Sequence, residues 1–403
     1  MDSACFIVVA RRNIFMIPVA GDGVIYMQFH MPTKIIFGCG VLTQLNSVVK
    51  DMNASTLLLV TDRGILASGI ADPIISHLNT SFHVEVFDAV EPNPKSTTIN
   101  TGGEIVRSLQ PDLIIGLGGG SSLDAAKAIA LLATNAGPIE DYEGRQKYRN
   151  RPLPMIAIPT TCGTGSEVTW VSVITDVRRH FKMSIKGPEM FPGVALLDPD
   201  VLLSLPQPLI ASTGMDALTH AIEAYTVIPR TSITDVLALR AIALILGSLL
   251  TVYKNPHQKE GRESMMLGST LAGMAFGNSD VGAVHCIAET IGGLYDVPHG
   301  VANSMFLPVV MEYNLPVSEE RYAYIARLLG NTDDDNTAAA KALIQKIRSL
   351  SRELHIPPFS SLAISEDDFP EIARRSVQNN SNDSNPRKVD TQGYMEILRS
   401  ATR

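Results

Sequence analysis

Cysteine is scarce. The four present (Cys5, Cys39, Cys162 and Cys286) are scattered through 403 residues with no paired spacing. That supplies no disulfide framework and fits a reduced, cytoplasmic protein. Long apolar runs are missing as well, for none reaches the roughly 20 residues needed to span a bilayer. The nearest, LALRAIALILGSLLTVY (237–253), is interrupted by Arg240 and reads as a buried helix. No membrane partner is expected. There is no excess of basic residues either: 33 Lys+Arg against 41 Asp+Glu leave a net charge of −8, which gives no support to a nucleic-acid partner. What remains is ordinary globular material, 45% hydrophobic and 18% charged, long enough for a sizeable core and for two domains.

The first 26 residues read differently from the rest. Arg11 and Arg12 follow the first apolar patch instead of preceding it, the wrong order for a secretory signal. Met27 opens MQFHMPTKIIFGCGVL, which reads as the start of a folded domain, so residues 1–26 are expected to be an extension.

From there the chain has two grammars. Over about 34–205, short β-branched or apolar runs alternate with helical stretches: TLLLVTD (56–62), HVEVFDAV (83–90), DLIIGLGGG (112–120), MIAIPTT (155–161) and VALLDPD (194–200). Such alternation predicts a parallel sheet covered by helices. Beyond PQPLIASTG (206–214) the strands stop, and long helical patterns follow. An α/β domain over 27–208 and an all-helical domain over 209–403 are expected, with the chemistry in a cleft between them.

DLIIGLGGGSSLDAAKA (112–128) reads as strand, glycine turn, helix. Gly118, Gly119 and Gly120 let backbone N–H groups approach an anion, and the helix from about Ser121 turns its positive end toward it. Ser121 or Ser122 can cap that helix and touch a phosphate oxygen. Without GxGxxG or a GK[ST] ending, a plain structural turn remains open. Asp62 ends the strand in TLLLVTDRG and can accept from ribose hydroxyls while repelling a 2′-phosphate, which favours NAD over NADP; a helix cap is its simpler reading. In IPTTCGTGSEVT (158–169), Thr160, Thr161 and Thr164 add short donors between glycines.

In STGMDALTHAIEAY (212–225), Asp216 and His220 stand four apart on a helical pattern and share a face. A buried Asp–His hydrogen bond would explain them as well as a shared cation. His285 and His299, both in AVHCIAETIGGLYDVPHG (283–300), could complete an Asp/His3 set suited to Fe(II) or Zn(II).

Taken in order, GGGSSLDAAK, PTTCGTGSEVT, LLDPD, GMDALTHAIEAY, AFGN and VHCIAETIGGLYDVPHGVANS make the chain resemble the iron-containing (group III) alcohol dehydrogenases, from about residue 29 to the C-terminus and including Asn385, Pro386 and Arg387. The resemblance implies a nucleotide-binding domain related to dehydroquinate synthase, a helical domain, and interconversion of alcohols with aldehydes or ketones by NAD(P) and a divalent metal. It places the pyrophosphate at Gly118, Gly119, Gly120 and Ser121, with Asp124, Thr160, Thr161, Thr164 and Lys182 also on the cofactor side. It matches Asp216, His220, His285 and His299 to the metal ligands, with Fe(II) first and Zn(II) second, and Asp62 to an NAD preference. It also implies a homodimer or a larger assembly of like chains.

The chemistry expected is Lewis-acid activation of the substrate oxygen with hydride exchange at the nicotinamide. Phe276 and Trp170 are pocket candidates which, if both face it, make the pocket apolar and suited to small alkyl or aryl compounds. Cys162 and Cys286 read as buried packing residues. Glu289 is the departure: family members commonly carry a histidine one turn after the first of the two later ligands. A proton relay is expected of it, with a part in substrate choice or metal preference as the alternative. Other chemistries on the same fold are a hydroxyacid–oxoacid transhydrogenase, a maleylacetate-type reductase and a diol dehydrogenase; a binding protein that has lost its activity is the reading from a different class.

Overall fold

The computed structural model describes residues 27–179 and 181–402, so the expectation for residues 1–26 lies outside them. The strands are β1 (Lys34–Phe37), β2 (Thr56–Val60), β3 (His83–Phe87), β4 (Leu113–Gly118), β5 (Gly144–Arg145), β6 (Met155–Pro159), β7 (Val171–Asp176), β8 (Phe181–Lys186) and β9 (Val194–Leu197). Six of them form one sheet in the order β1-β9-β6-β4-β2-β3, every neighbouring pair parallel. The inner strands are apolar and buried on both faces, whereas the edge strand β3 alternates exposed His83 and Glu85 with better-covered residues. That is the pattern a parallel sheet with helices on both sides imposes. Leu57 and Leu59 pack on one side and Leu58 and Val60 on the other, as a period of two requires.

The helices of this half are α1 (Leu45–Asp51), α2 (Arg63–Ala67), α3 (Ala71–Asn79), α4 (Ser96–Leu109) and α5 (Gly120–Thr134). From β2 the chain steps outward to β3, then returns to β4 on the other side of β2. The order reverses between β2 and β4, and the crevice outside the carboxyl ends of strands at such a reversal is where parallel α/β sheets bind ligands. Both the glycine run and Asp62 stand there.

A second sheet of β5, β8 and β7, with β7 and β8 antiparallel, was not among the expected strands. Its sequence signal is the apolar–polar alternation of FKMSIK, which pairs with VSVITD, a strand that alternates in burial.

After β9 no further strand occurs among the described residues. The chain continues as α6 (Gln207–Thr226), α7 (Ser232–Lys254), α8 (Lys259–Phe276), α9 (Ala283–Tyr295), α10 (His299–Leu328), α11 (Asn336–Glu353), α12 (Phe369–Val377) and α13 (Thr391–Ala401). α7, the one described helix long and apolar enough to cross a membrane, buries a stripe that includes Ala241, Ile245 and Leu249 in the helical core, while Ile233 and Val236 on its first turns are exposed. The architecture is the expected one: a parallel α/β half followed by a helical half.

Candidate active site in the cleft between the two halves

Asp216 and His220 sit one turn apart on α6, His285 on the first turn of α9, and His299 at the first position of α10. α10 approaches α6 closely at its start: a Cβ on Gly300 would stand 2.5 Å from the Ser212 carbonyl oxygen and 3.3 Å from the Asp216 Cβ. Only a residue without a side chain fits, and the fit carries His299 up to Asp216, with Nε2 3.8 Å from Oδ1. One donor atom from each of the four residues falls within 4.8 Å of all the others. The structure thus brings these four residues together.

The ring orientations follow from what the other nitrogens do. His220 Nδ1 lies 3.2 Å from the Gly163 carbonyl oxygen, so that nitrogen carries the proton and Nε2 is left with its lone pair. His285 Nδ1 lies 2.5 Å from Glu223 Oε2, and the other Glu223 oxygen accepts from the Val284 backbone N–H at 2.9 Å. Such a carboxylate behind an imidazole fixes its tautomer and raises its basicity. Burial pushes His220 down to about 4 and His299 down to about 3, so both rings are neutral near pH 7. Burial would lower His285 too, but Glu223 beside it raises it above the ordinary histidine range. Asp216 is buried, which would raise it, yet the surrounding imidazoles and the Asn303 amide hold it below the usual carboxylate range. Two neutral imidazoles and an ionised carboxylate converge on one point, and they fit a divalent cation.

Glu223 and Asn303 escaped the sequence reading. Asn303 Nδ2 stands 2.6 Å from Asp216 Oδ1 and 3.1 Å from both His285 Nε2 and His299 Nε2, and its own Oδ1 is buried without a partner. The clue was present for both. Glu223 continues the 216, 220 face by one more turn, and Asn303 repeats the four-residue step from His299.

The opposite wall carries the glycine loop. Gly118 adopts φ +147°, and a Cβ there would strike the Ser122 side chain, so the strand-to-helix turn demands glycine. Capping differs from the expectation: α5 starts at Gly120, its N-cap is Gly119, and no side chain caps it. Neither Ser121 nor Ser122 takes that place, because the helix begins before them; Ser122 Oγ instead donates to Asp62 Oδ2 at 3.0 Å. The N–H groups at the start of α5 therefore have no side-chain cap, which suits a phosphate. Asp62 is the N-cap of α2, accepting from Ile65 N, and its carboxylate abuts the glycine loop.

Thr160 is buried beside this loop, its N–H donating to Gly118 O while its hydroxyl has no partner. Thr161 and Thr164 pack against Gly119 and Gly120 respectively. Asp124 lines the cleft with both oxygens engaged, by Ser166 Oγ at 2.6 Å and Val173 N at 2.9 Å. Buried Lys127, pushed down by its burial to about 8, ties the same segment together through Ser166 Oγ and the Val171 carbonyl.

Between the walls lies a cleft of about 830 Å³ that reaches Gly120, Ser121, Thr164, Lys182 and the three histidines. Lys182 Nζ donates to Asn93 Oδ1 at 2.7 Å, and its burial lowers its pKa. Phe276 lines the cleft stacked on His220, centroids 4.2 Å apart, and Trp170 lines it with its indole N–H on the Gly277 carbonyl oxygen. The cleft is mixed in polarity, less apolar than the two aromatics alone would make it. Glu289, Asn379, Asn380 and Ser381 share the lining with the two aromatics. Cys162 and Cys286 are free, buried packing residues, as read from the sequence.

Comparison with known proteins agrees with this geometry. The family model for iron-containing alcohol dehydrogenase matches residues 32–199, and that for the C-terminal part of the Fe-containing alcohol dehydrogenase family matches residues 210–402. The chain is 40% identical over 380 residues to 1,3-propanediol dehydrogenase of Citrobacter freundii, covering 93% of this chain and 98% of that protein. It is 34% identical over 378 residues to the NAD-dependent methanol dehydrogenase of Bacillus methanolicus, with 93% and 99% covered. Among solved structures, a 1,3-propanediol oxidoreductase superposes with a TM-score of 0.90 at 38% identity, over 93% of this chain and 100% of that one. With both halves matched and the donor cluster lying where they meet, the chain belongs to the iron-containing alcohol dehydrogenase family.

Proposed function

We propose that this chain interconverts small alcohols and aldehydes with NAD(H), using Fe(II), or Zn(II) as the alternative, held by Asp216, His220, His285 and His299. The observation that carries the reading is the convergence of four donor atoms within 4.8 Å in a cleft whose other wall is an uncapped glycine turn. A bound divalent ion would supply Lewis-acid polarisation of the substrate oxygen. The chain's own residues do the rest. Glu223 holds His285, Asn303 holds Asp216, and the Gly163 carbonyl holds His220, so three of the four proposed ligands are oriented before anything binds. Gly118, Gly119, Gly120 and Ser121 present backbone N–H groups to the pyrophosphate, with Thr160, Thr161 and Thr164 beside them and Lys182 toward the nicotinamide side. Asp62 at the end of β2 favours an unphosphorylated ribose. Phe276 and Trp170 exclude water from the reacting carbon.

The relay expected of Glu289 is one role open to that carboxylate; a part in substrate choice or metal preference is the alternative. A cytoplasmic homodimer or larger homo-oligomer is part of the same reading, supported by the free cysteines and by the family.

Anaerobic reconstitution with Fe(II) or Zn(II), followed by metal analysis and an NADH absorbance assay on short alcohols and aldehydes, tests it. His220→Ala should lose both the bound ion and turnover. A variant that keeps both would sink the ligand assignment.

A further inference from the structure

Glu289 stands one helical turn after His285 on α9 and faces the cleft. Its Oε2 accepts from Asn379 Nδ2 at 2.6 Å. Asn379 cannot turn its amide over, because its Oδ1 already accepts from the Ser381 backbone N–H at 3.0 Å. Ser376 Oγ donates to Thr290 Oγ1 at 3.2 Å and ties α12 to α9 a second time, so the carboxylate and its amide partner are fixed relative to the histidines. Among the described residues no donor reaches the other Glu289 oxygen. Lys182, the nearby cation, is bound to Asn93. The cleft therefore contains an oriented acceptor without a second partner, on the helix that carries His285.

We propose that Glu289, held by Asn379, selects substrates by their far end: alcohols that carry a hydrogen-bond donor, hydroxyl or ammonium, two or three carbons from the reacting carbon. The inference rests on the alcohol dehydrogenase reading above. Residues four apart on a helix are surface neighbours, so Glu289 and His285 face the same cleft, within reach of the two ends of a short carbon chain. An ionised carboxylate only accepts. A donor-bearing tail gains a charge-assisted hydrogen bond there. A methyl tail leaves the carboxylate desolvated without a new partner, and an acidic tail meets like charge.

Four matched alcohols test this on the metal-loaded protein: 1-propanol, 1,3-propanediol, 3-amino-1-propanol and 3-hydroxypropionate. The wild type should turn over the diol and the amino alcohol with kcat/KM about ten- to a hundredfold above 1-propanol, the worth of one hydrogen bond to a charged group, with 3-hydroxypropionate poorest. The ratio of amino alcohol to diol says which donor is preferred. Glu289→Leu should erase the advantage mainly through KM, and Asn379→Ala should reduce it. Thermal unfolding gives a second readout: 1,3-propanediol should raise Tm of the wild type and not of Glu289→Leu. If that variant does not fold, Glu289→Gln is read by the same ratios. Equal loss of kcat on every substrate with unmoved ratios would make Glu289 the relay and overturn this proposal, while leaving the dehydrogenase reading intact. No turnover of any alcohol by the wild type would overturn both.

Discussion

At the scale of single residues, the ligand set owes its order to side chains that touch no substrate. Glu223 is the clearest. It is buried, and its two oxygens hold His285 Nδ1 and the N–H of Val284, so one carboxylate sets both the imidazole and the start of the helix carrying it. Glu223→Gln keeps the shape and removes the charge. Metal affinity should fall about 10- to 100-fold, measured by competition with a chelator, while urea unfolding of the metal-free variant changes far less. An unchanged affinity would reduce Glu223 to a helix cap. The four proposed ligands were legible in the sequence through the family resemblance, with helical spacing pairing Asp216 and His220. Glu223 and Asn303 carried only a spacing clue and Asn379 none, since each acquires its role from a partner 62 to 90 residues away along the chain. Asp62 was legible as the cap of α2, and its carboxylate also accepts from Ser122 beside the glycine loop.

At the scale of elements, the site depends on how closely two helices approach. α10 reaches α6 only because position 300 has no side chain. Gly300→Ala should push His299 away from Asp216 and cost about 1–3 kcal/mol, the usual penalty for overpacking. Chemical denaturation reads the stability, and metal titration should show the weaker site; a variant with native affinity would mean that α10 can shift without moving His299. The inner strands were plain in the sequence, being apolar on both faces. α10 was hidden by Pro308 and Pro316 inside its length, residues that normally read as stops. The small β5-β8-β7 sheet was hidden by its neighbours, for its alternating strands lie among the loops that follow the threonine segment.

At the scale of the molecule, two halves that read so differently meet at a shared wall. The boundary between grammars was visible as the point where β-branched runs cease. What lies across the boundary was not, because no spacing rule tells which loop of the first half faces which helix of the second. One contact there reaches further than its size. His220 turns one nitrogen toward the ion site and the other to the carbonyl oxygen of Gly163, in the threonine–glycine loop of the opposite half. Whatever steadies that ring steadies the loop, and the reverse holds equally. If the loop follows the ring, a bound ion and a bound dinucleotide act on one another's affinity, and linkage then requires the coupling to be reciprocal. The factor by which the ion tightens NADH should equal the factor by which NADH tightens the ion. Paired titrations, each with and without the other ligand, give the two numbers. A factor of one in both would mean that the loop does not follow the ring, and a nucleotide pool would then have no hold on how firmly this protein keeps its metal.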